Sequence, residues 1–186
     1  MKKALVVYKS AYGSTKKYAE WIADELKCDI IEKDKCKKEQ LKNYDIIIYG
    51  GGLYAGKVNG IEIITSEFEN IKDKSIILFT CGLADTEDSK NIQHIISDIN
   101  KVFTDDMKRL IKIYCFRGGI DYSKLSFVHR MMMAMMYKVI VGKSRKSKDE
   151  WEKNKAFIES YGKEIDFTDR EAIVPLVKYV RELQNI

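Results

Sequence analysis

The sequence predicts an α/β protein, a five-stranded parallel sheet with helices on both faces. Three observations point to it. Apolar runs of strand length, rich in β-branched and aromatic residues, recur five times along the chain. Between them, apolar residues return at helical spacing, so strands and helices alternate. The central runs are continuous rather than alternating, as strands covered on both faces are.

Taken in order, Leu5-Val6-Val7-Tyr8 forms the first strand. Tyr18, Ala19, Ile22, Ala23 and Leu26 mark one face of the first helix. Cys28 to Glu32 is a short second strand, and Lys33 to Lys42 a charged connector that reads as a solvated face. Ile46 to Tyr49 is the third strand, followed by a glycine-rich loop from Gly50 to Gly60 and a helix near Ile61 to Asn70. Ile76 to Thr80 is the fourth strand, with a loop from Cys81 to Asp88. Ile92, Ile95, Ile96 and Ile99 mark another helix, and Leu110 to Phe116 the fifth strand.

An inserted helical segment is expected after the fifth strand. Phe127, Met131, Met132, Met135, Met136 and Val139 would share its apolar face, with His129, Arg130 and Lys138 on the polar side. Lys143, Arg145, Lys146 and Lys148 follow, and no acid intervenes before Asp149. An apolar face beside clustered cations suits an anionic membrane surface or an amphiphilic carboxylate, so residues 125–148 are a candidate for peripheral membrane contact. An extra helix packed on the domain is the plainer alternative. A further helix is expected near Trp151. In the tail, residues 167–186, Thr168-Asp169-Arg170-Glu171 reads as a capping box. Pro175 there requires a late helix start or a kink.

Composition bounds the function. With 186 residues, 45% hydrophobic and 33% charged, the chain reads as one domain over 1–186 with a sizeable core. The apolar run after Met1-Lys2-Lys3 is too short for a signal peptide, and no stretch is long and apolar enough to span a bilayer. Cys28, Cys36, Cys81 and Cys115 form no Cys-x-x-Cys pair. No metal site is expected, and the thiols read as reduced in a cytoplasmic protein. The net charge of +5 comes without an aromatic-basic platform, so no nucleic acid is expected.

Three loops carry the chemistry. Ser10-Ala11-Tyr12-Gly13-Ser14-Thr15 joins the first strand to the first helix, where N–H groups and the positive end of a dipole favour an anion. Hydroxyls line it, and it contains neither a Walker lysine nor an acid to hold magnesium, which suits a phosphate monoester. The second loop contains two misleading motifs. Gly51 to Lys57 spells GxxxxGK but continues with Val58, and the GxGxxA from Gly50 is delayed from its helix by Asn59-Gly60. The third loop, Cys81-Gly82-Leu83-Ala84-Asp85, lies where the carboxyl ends of the strands would gather all three.

Val6, Val7, Tyr8, Ser10, Gly13, Thr15, Ala19 and Ile22 fill every position of the signature that opens flavodoxins. The chain therefore resembles a flavodoxin, and the resemblance implies FMN, with Ser10, Ala11, Tyr12, Gly13, Ser14 and Thr15 around its phosphate. It implies that Gly52, Leu53, Tyr54, Ala55 and Gly56 lie beside the isoalloxazine, Tyr54 as the covering ring and the Ala55-Gly56 peptide near flavin N5. Cys81, Gly82, Leu83 and Asp85 would line its pyrimidine end. No catalytic side chain is implied, because the flavin carries the chemistry.

A second resemblance covers nearly the whole chain. Gly118-Gly119-Ile120-Asp121-Tyr122-Ser123-Lys124-Leu125-Ser126-Phe127, the Met-rich helix and Trp151 look like flavodoxin-type, menaquinone-dependent protoporphyrinogen oxidases. That similarity implies an FMN oxidoreductase passing electrons from a porphyrinogen to a quinone. Val141-Gly142-Lys143-Ser144-Arg145 departs from that family's usual motif after the insert. A soluble electron carrier serving a redox partner protein is the alternative. A phosphoacceptor domain is excluded, because Tyr8-Lys9-Ser10 and Tyr49-Gly50 stand where its acids belong.

Overall fold

The structure is a computed structural model and describes residues 2–185; Met1 and Ile186, at the ends of the segments read above, lie outside the described residues. In chain order it comprises β1 (Ala4–Lys9), α1 (Ser14–Leu26), β2 (Asp29–Glu32), β3 (Ile46–Tyr54), β4 (Lys57–Val58), α2 (Glu62–Thr65) and α3 (Phe68–Ile71). Then follow β5 (Ser75–Gly82), α4 (Ser89–Asn100), α5 (Asp105–Leu110), β6 (Ile111–Arg117), β7 (Gly119–Asp121), α6 (Phe127–Ser144), α7 (Lys148–Ser160), β8 (Glu164–Asp166) and α8 (Val174–Gln184). Short 3₁₀ turns occupy the charged connector Lys33–Asn43 and residues Glu171–Ile173. The chain divides into two compact units, residues 1–118 with 167–186, and residues 119–166.

The first unit is the doubly wound sheet. Five parallel strands run in the order β2-β1-β3-β5-β6, with β4 paired antiparallel to β3. Successive side chains of a strand point to opposite faces, and here both faces are apolar. Val6, Ile48, Ile77, Phe79 and Phe116 lie with Tyr18, Ala19 and Ile22 of α1. Val7, Ile47, Tyr49 and Leu78 lie with Ile63, Phe68, Ile95 and Met107 on the other side. Each large aliphatic side chain fully buried in this way contributes roughly 1.5–3 kcal/mol.

Several boundaries differ from the sequence reading, two of them substantially. β3 does not end at Tyr49; Gly50, Gly51 and Gly52 continue it, in register with Tyr8, Lys9 and Cys81. The glycine run is therefore sheet, and its lack of side chains is steric. A Cβ on Gly50 would lie 2.0 Å from Phe79 Cζ, and one on Gly51 2.4 Å from Val58 Cγ1. Likewise the helix expected over 61–70 breaks into α2 and α3, and Glu67 beside the break accepts from Lys38 and Asn70.

The tail closes the α1 side of the sheet. Leu176, Val177 and Val180 of α8 are buried in that cluster. Arg170 pairs with Asp24 and Glu25, and Arg181 with Glu25. The helix starts late, with Pro175 in its first turn, where a missing N–H costs nothing. The expected capping box does not form, because Asp169 accepts from Glu171 N while Thr168 Oγ1 accepts from Lys17 Nζ.

The second unit is the insert. β7 and β8 pair antiparallel and bring its two ends together. Between them α6 packs on α7, with Tyr137 stacked on Tyr161 at 4.1 Å and Tyr122 edge-on to the same ring at 5.1 Å. Asn154 donates to Ser144 Oγ and to Glu150 O, fastening the turn between the helices.

Gly50→Ala should lower the unfolding free energy by about 1–3 kcal/mol in urea titration, because Phe79 cannot withdraw from a packed core. Gly142→Ala in α6, where an added Cβ meets nothing within 4 Å, should be neutral or stabilising by up to about 1 kcal/mol.

Candidate functional site

The chain leaves β1 and β3 toward opposite faces, which makes the gap between their carboxyl ends the switch point of the sheet. The first loop, residues 10–13, sits there. Gly13 at the N-cap of α1 has φ +100°, a conformation that side-chain-bearing residues rarely adopt. Its N–H donates to Ser10 Oγ at 3.1 Å, which curls the loop, and Lys17 N closes the first helical turn on Gly13 O. Thr15 is buried, whereas Ser10, Tyr12 and Ser14 are half-buried and Ala11 is exposed. No side chain caps α1 and its first turn contains no acid, while Lys16 and Lys17 bring positive charge. That arrangement disfavours an ordinary capped helix and favours an anion.

The second loop is a hairpin tip rather than an open loop. Tyr54 pairs with Lys57, so Ala55 and Gly56 form a two-residue turn, with φ +48° and +76°. Both values being positive is the type I′ pattern, for which Asn-Gly is the favoured pair. Ala55 therefore holds backbone strain at the tip. Tyr54 folds back over Gly52, where a Cβ would lie 2.8 Å from the Tyr54 ring. Its ring also meets Tyr12 edge-on, 6.0 Å between centroids at 77°. Burial pushes its phenol up to about 12, against the pull of a backbone hydrogen bond with Ala11.

The third loop begins inside β5, since Cys81 and Gly82 are still strand. Leu53 lies against Gly82, and Gly118 N donates to Gly82 O at 2.7 Å. A Cβ on Gly118 would lie 2.7 Å from Cys81 Sγ and 3.2 Å from Ser14 Cβ. The packing thus brings Leu53 of β3 against Gly82, and Ser14 of α1 and Cys81 of β5 against Gly118. Asp85 shapes its loop: its carboxylate accepts from Glu87 N and from Arg117 Nη1, and its carbonyl from Asn91 Nδ2. Leu83 is half-buried beside it.

Arg117 is the residue the sequence reading did not assign to this site. It ends β6 directly beside Gly82 in the sheet. Its guanidinium reaches Asp85 at 3.2 Å and lies 4.0 Å from the centre of the Phe167 ring. Its Nε is the buried side-chain donor without a hydrogen-bond partner among the described residues, and such an orphan is costly unless something accepts from it. Only the register of β5 against β6 brings it here, so no local motif announces it.

Residues 5–147 match the family described as Flavodoxin domain. The chain belongs to the flavodoxin domain family. A relative from Methanocaldococcus jannaschii, an uncharacterized protein, is 39% identical over 82 residues, which are 43% of this chain and 55% of that relative. The match therefore spans about half the length of that curated relative. Among solved structures, the oxidised flavodoxin 2 of Bacillus cereus is 22% identical, covering 62% of this chain and 84% of its own at a TM-score of 0.46. A flavoprotein from Lactobacillus acidophilus NCFM, solved in complex with FMN, is 20% identical over 63% of this chain and 93% of its own, with a TM-score of 0.45.

In this flavodoxin-domain protein the site suits a phosphate ester with a flat, polar-edged ring. The uncapped N-terminus of α1 and the Ser10 turn answer the phosphate, the glycines allow close approach, and the orphaned Arg117 Nε answers an acceptor. Outside the site, burial pushes the Cys28 thiol up to about 11 and raises Cys36 and Cys115 as well. Ala55→Asn should raise the unfolding free energy by about 0.5–1 kcal/mol in denaturant titration, since Asn tolerates the left-handed region. Ala55→Val should lower it by at least as much.

Proposed function

We propose that this protein binds FMN at the carboxyl ends of β1, β3 and β5 and acts as a redox protein. The observation that carries the reading is the packing of Ser14 and Cys81 against Gly118 and of Leu53 against Gly82, beside the orphaned Arg117 Nε. Ser10, Gly13, Ser14 and Thr15 at the start of α1 would hold the phosphate. Gly52 to Gly56 and Cys81 to Asp85 would hold the ring, with Arg117 Nε the donor toward its polar edge. Bound FMN supplies reversible electron transfer; the chain supplies placement, exclusion of water by Tyr12 and Tyr54, and a cation at one end.

For the reaction, we favour an oxidoreductase of the protoporphyrinogen dehydrogenase type that passes electrons from a porphyrinogen to a quinone. The support is the 119–166 insert, whose sequence resembles that enzyme class and whose helix α6 presents apolar side chains outward. A soluble electron carrier serving a protein partner is the second reading, and family membership fits it equally. In either case the setting proposed is cytoplasmic, with peripheral contact at the inner face of the membrane.

Equilibrium binding tests the cofactor. Replacing Ser10 and Ser14 together by Ala should weaken FMN about tenfold or more while leaving riboflavin nearly unchanged, because hydrogen bonds to a charged group are the stronger kind. Arg117→Met should weaken both ligands alike, since it would serve the ring. Equal losses of FMN and riboflavin in the serine variant would refute the phosphate assignment. For the reaction, the protein with added FMN is incubated with protoporphyrinogen and menadione. Oxidation that depends on both FMN and menadione supports the dehydrogenase, and its absence alongside tight FMN binding leaves the carrier.

A further inference from the structure

Helix α6 is inverted relative to an ordinary surface helix. At about 100° per residue, Phe127, Val128, Val139 and the methionines 131, 132, 135 and 136 fall on one half of its circumference. That half faces outward, with exposures from 38% at Met132 to 76% at Phe127. The opposite half, carrying Met133, Tyr137, Ile140 and Ser144, is half-buried or buried, and it is the side that meets α7 through Tyr137 and Ser144. Of the thirteen large apolar side chains exposed among the described residues, seven lie on this one helix. Single exposed apolar residues need no explanation, but a contiguous outward face of this kind marks an interaction surface.

Charge identifies the partner. Between Asp121 and Asp149 the chain has seven lysines and arginines and no acid. By helical angle, Lys138 and Lys143 stand at the two borders of the apolar half. The segment after the helix exposes Arg145, Lys146 and Lys148, which line a concavity of about 460 Å³ together with Trp151 and a single carboxylate, Glu152. A second copy of the chain would bring Lys138, Lys143, Arg145, Lys146 and Lys148 against the same five cations, so self-association through this face is disfavoured. A surface that is apolar within and anionic at its rim satisfies both features, and a bilayer of anionic lipids is such a surface. Methionines conform to irregular apolar surroundings, and long cationic side chains reach from a buried helix to the phosphate level. Among the described residues no helix is long and apolar enough to cross a membrane, so the contact is one of lying on the surface.

We propose that the outward face of α6 docks this protein on an anionic lipid bilayer, its methionines entering the headgroup boundary and the cations around them meeting lipid phosphates. The proposal deepens the peripheral membrane contact proposed above by assigning its surface; it rests on residues 119–166 alone and is independent of the flavin reading.

The test is sedimentation of the full chain with phosphatidylglycerol-rich vesicles and, separately, with pure phosphatidylcholine vesicles. The protein should sediment with the first and not the second. Raising salt from about 0.05 M to about 0.5 M should weaken binding at least tenfold, as the screening length shortens. Reversing Lys143, Arg145, Lys146 and Lys148 to Glu should abolish it. Met132→Ser, Met135→Ser and Met136→Ser together should weaken it about tenfold with the melting temperature unchanged, because these side chains are exposed in the folded protein. Three results overturn the proposal: no sedimentation of the unaltered protein with anionic vesicles, equal binding to both vesicle types, or undiminished binding by the charge-reversed variant. The charge-reversed variant keeps the test decisive should the methionine variant fail to fold. A dimer in light scattering that Met135→Ser dissociates, without vesicle binding, assigns the face to self-contact and also overturns it.

Discussion

Everything in the first unit depends on burying both faces of a parallel sheet. The strands β1, β3 and β5 are apolar on each side, so neither face tolerates water. Helices must therefore cover both, which is why α1 and α8 share one side and α2 to α5 take the other. The connections between these layers have to pass the ends of the strands. At the carboxyl ends of β1, β3 and β5 they converge, and the N-terminus of α1 with its backbone N–H groups lies there as a consequence of the topology.

The same constraint explains the glycines. Gly50 and Gly51 look like a ligand-binding loop in sequence, yet they continue β3 and make room for Phe79 and Val58. Close packing of aromatic rings against a bare backbone is what lets the central strand run on to Tyr54. The strand in turn delivers a strained two-residue hairpin at its tip, with Ala55 in the left-handed region. Strain of this kind persists where the surroundings over-determine it; here the β3–β4 pairing and the contact of Tyr54 with Tyr12 do so. Rigid sheet thus reaches into the site, and only the turn itself is irregular.

The insert follows different physics. Its two helices have one good face between them, built from tyrosine stacking and the Ser144–Asn154 hydrogen bond. A pair of helices cannot bury every apolar residue of α6, and the surplus points outward. That residual face beside a cluster of cations is a property of the unit itself.

Much of this was legible in residues taken one stretch at a time. The periodicity of Leu5–Tyr8, Ile46–Tyr49 and Ile76–Thr80 announced strands, the spacing of Tyr18 to Leu26 announced α1, and Pro175 announced a late start or a kink in α8, of which the late start is found. These are local signals, set by side-chain pattern and backbone sterics, and eight positions around Ser10–Thr15 were enough to suggest the family. Tertiary structure decided what depends on neighbours distant in sequence. It extended β3 through its glycines because Phe79 and Val58 fill the space beside them, and it paired Asp85 with Arg117. It also brought Arg117 beside Gly82, with an unsatisfied Nε that no motif foretells. Strand register links residues 35 apart in the chain, and only packing, through the exclusion of water from both faces, sets that register.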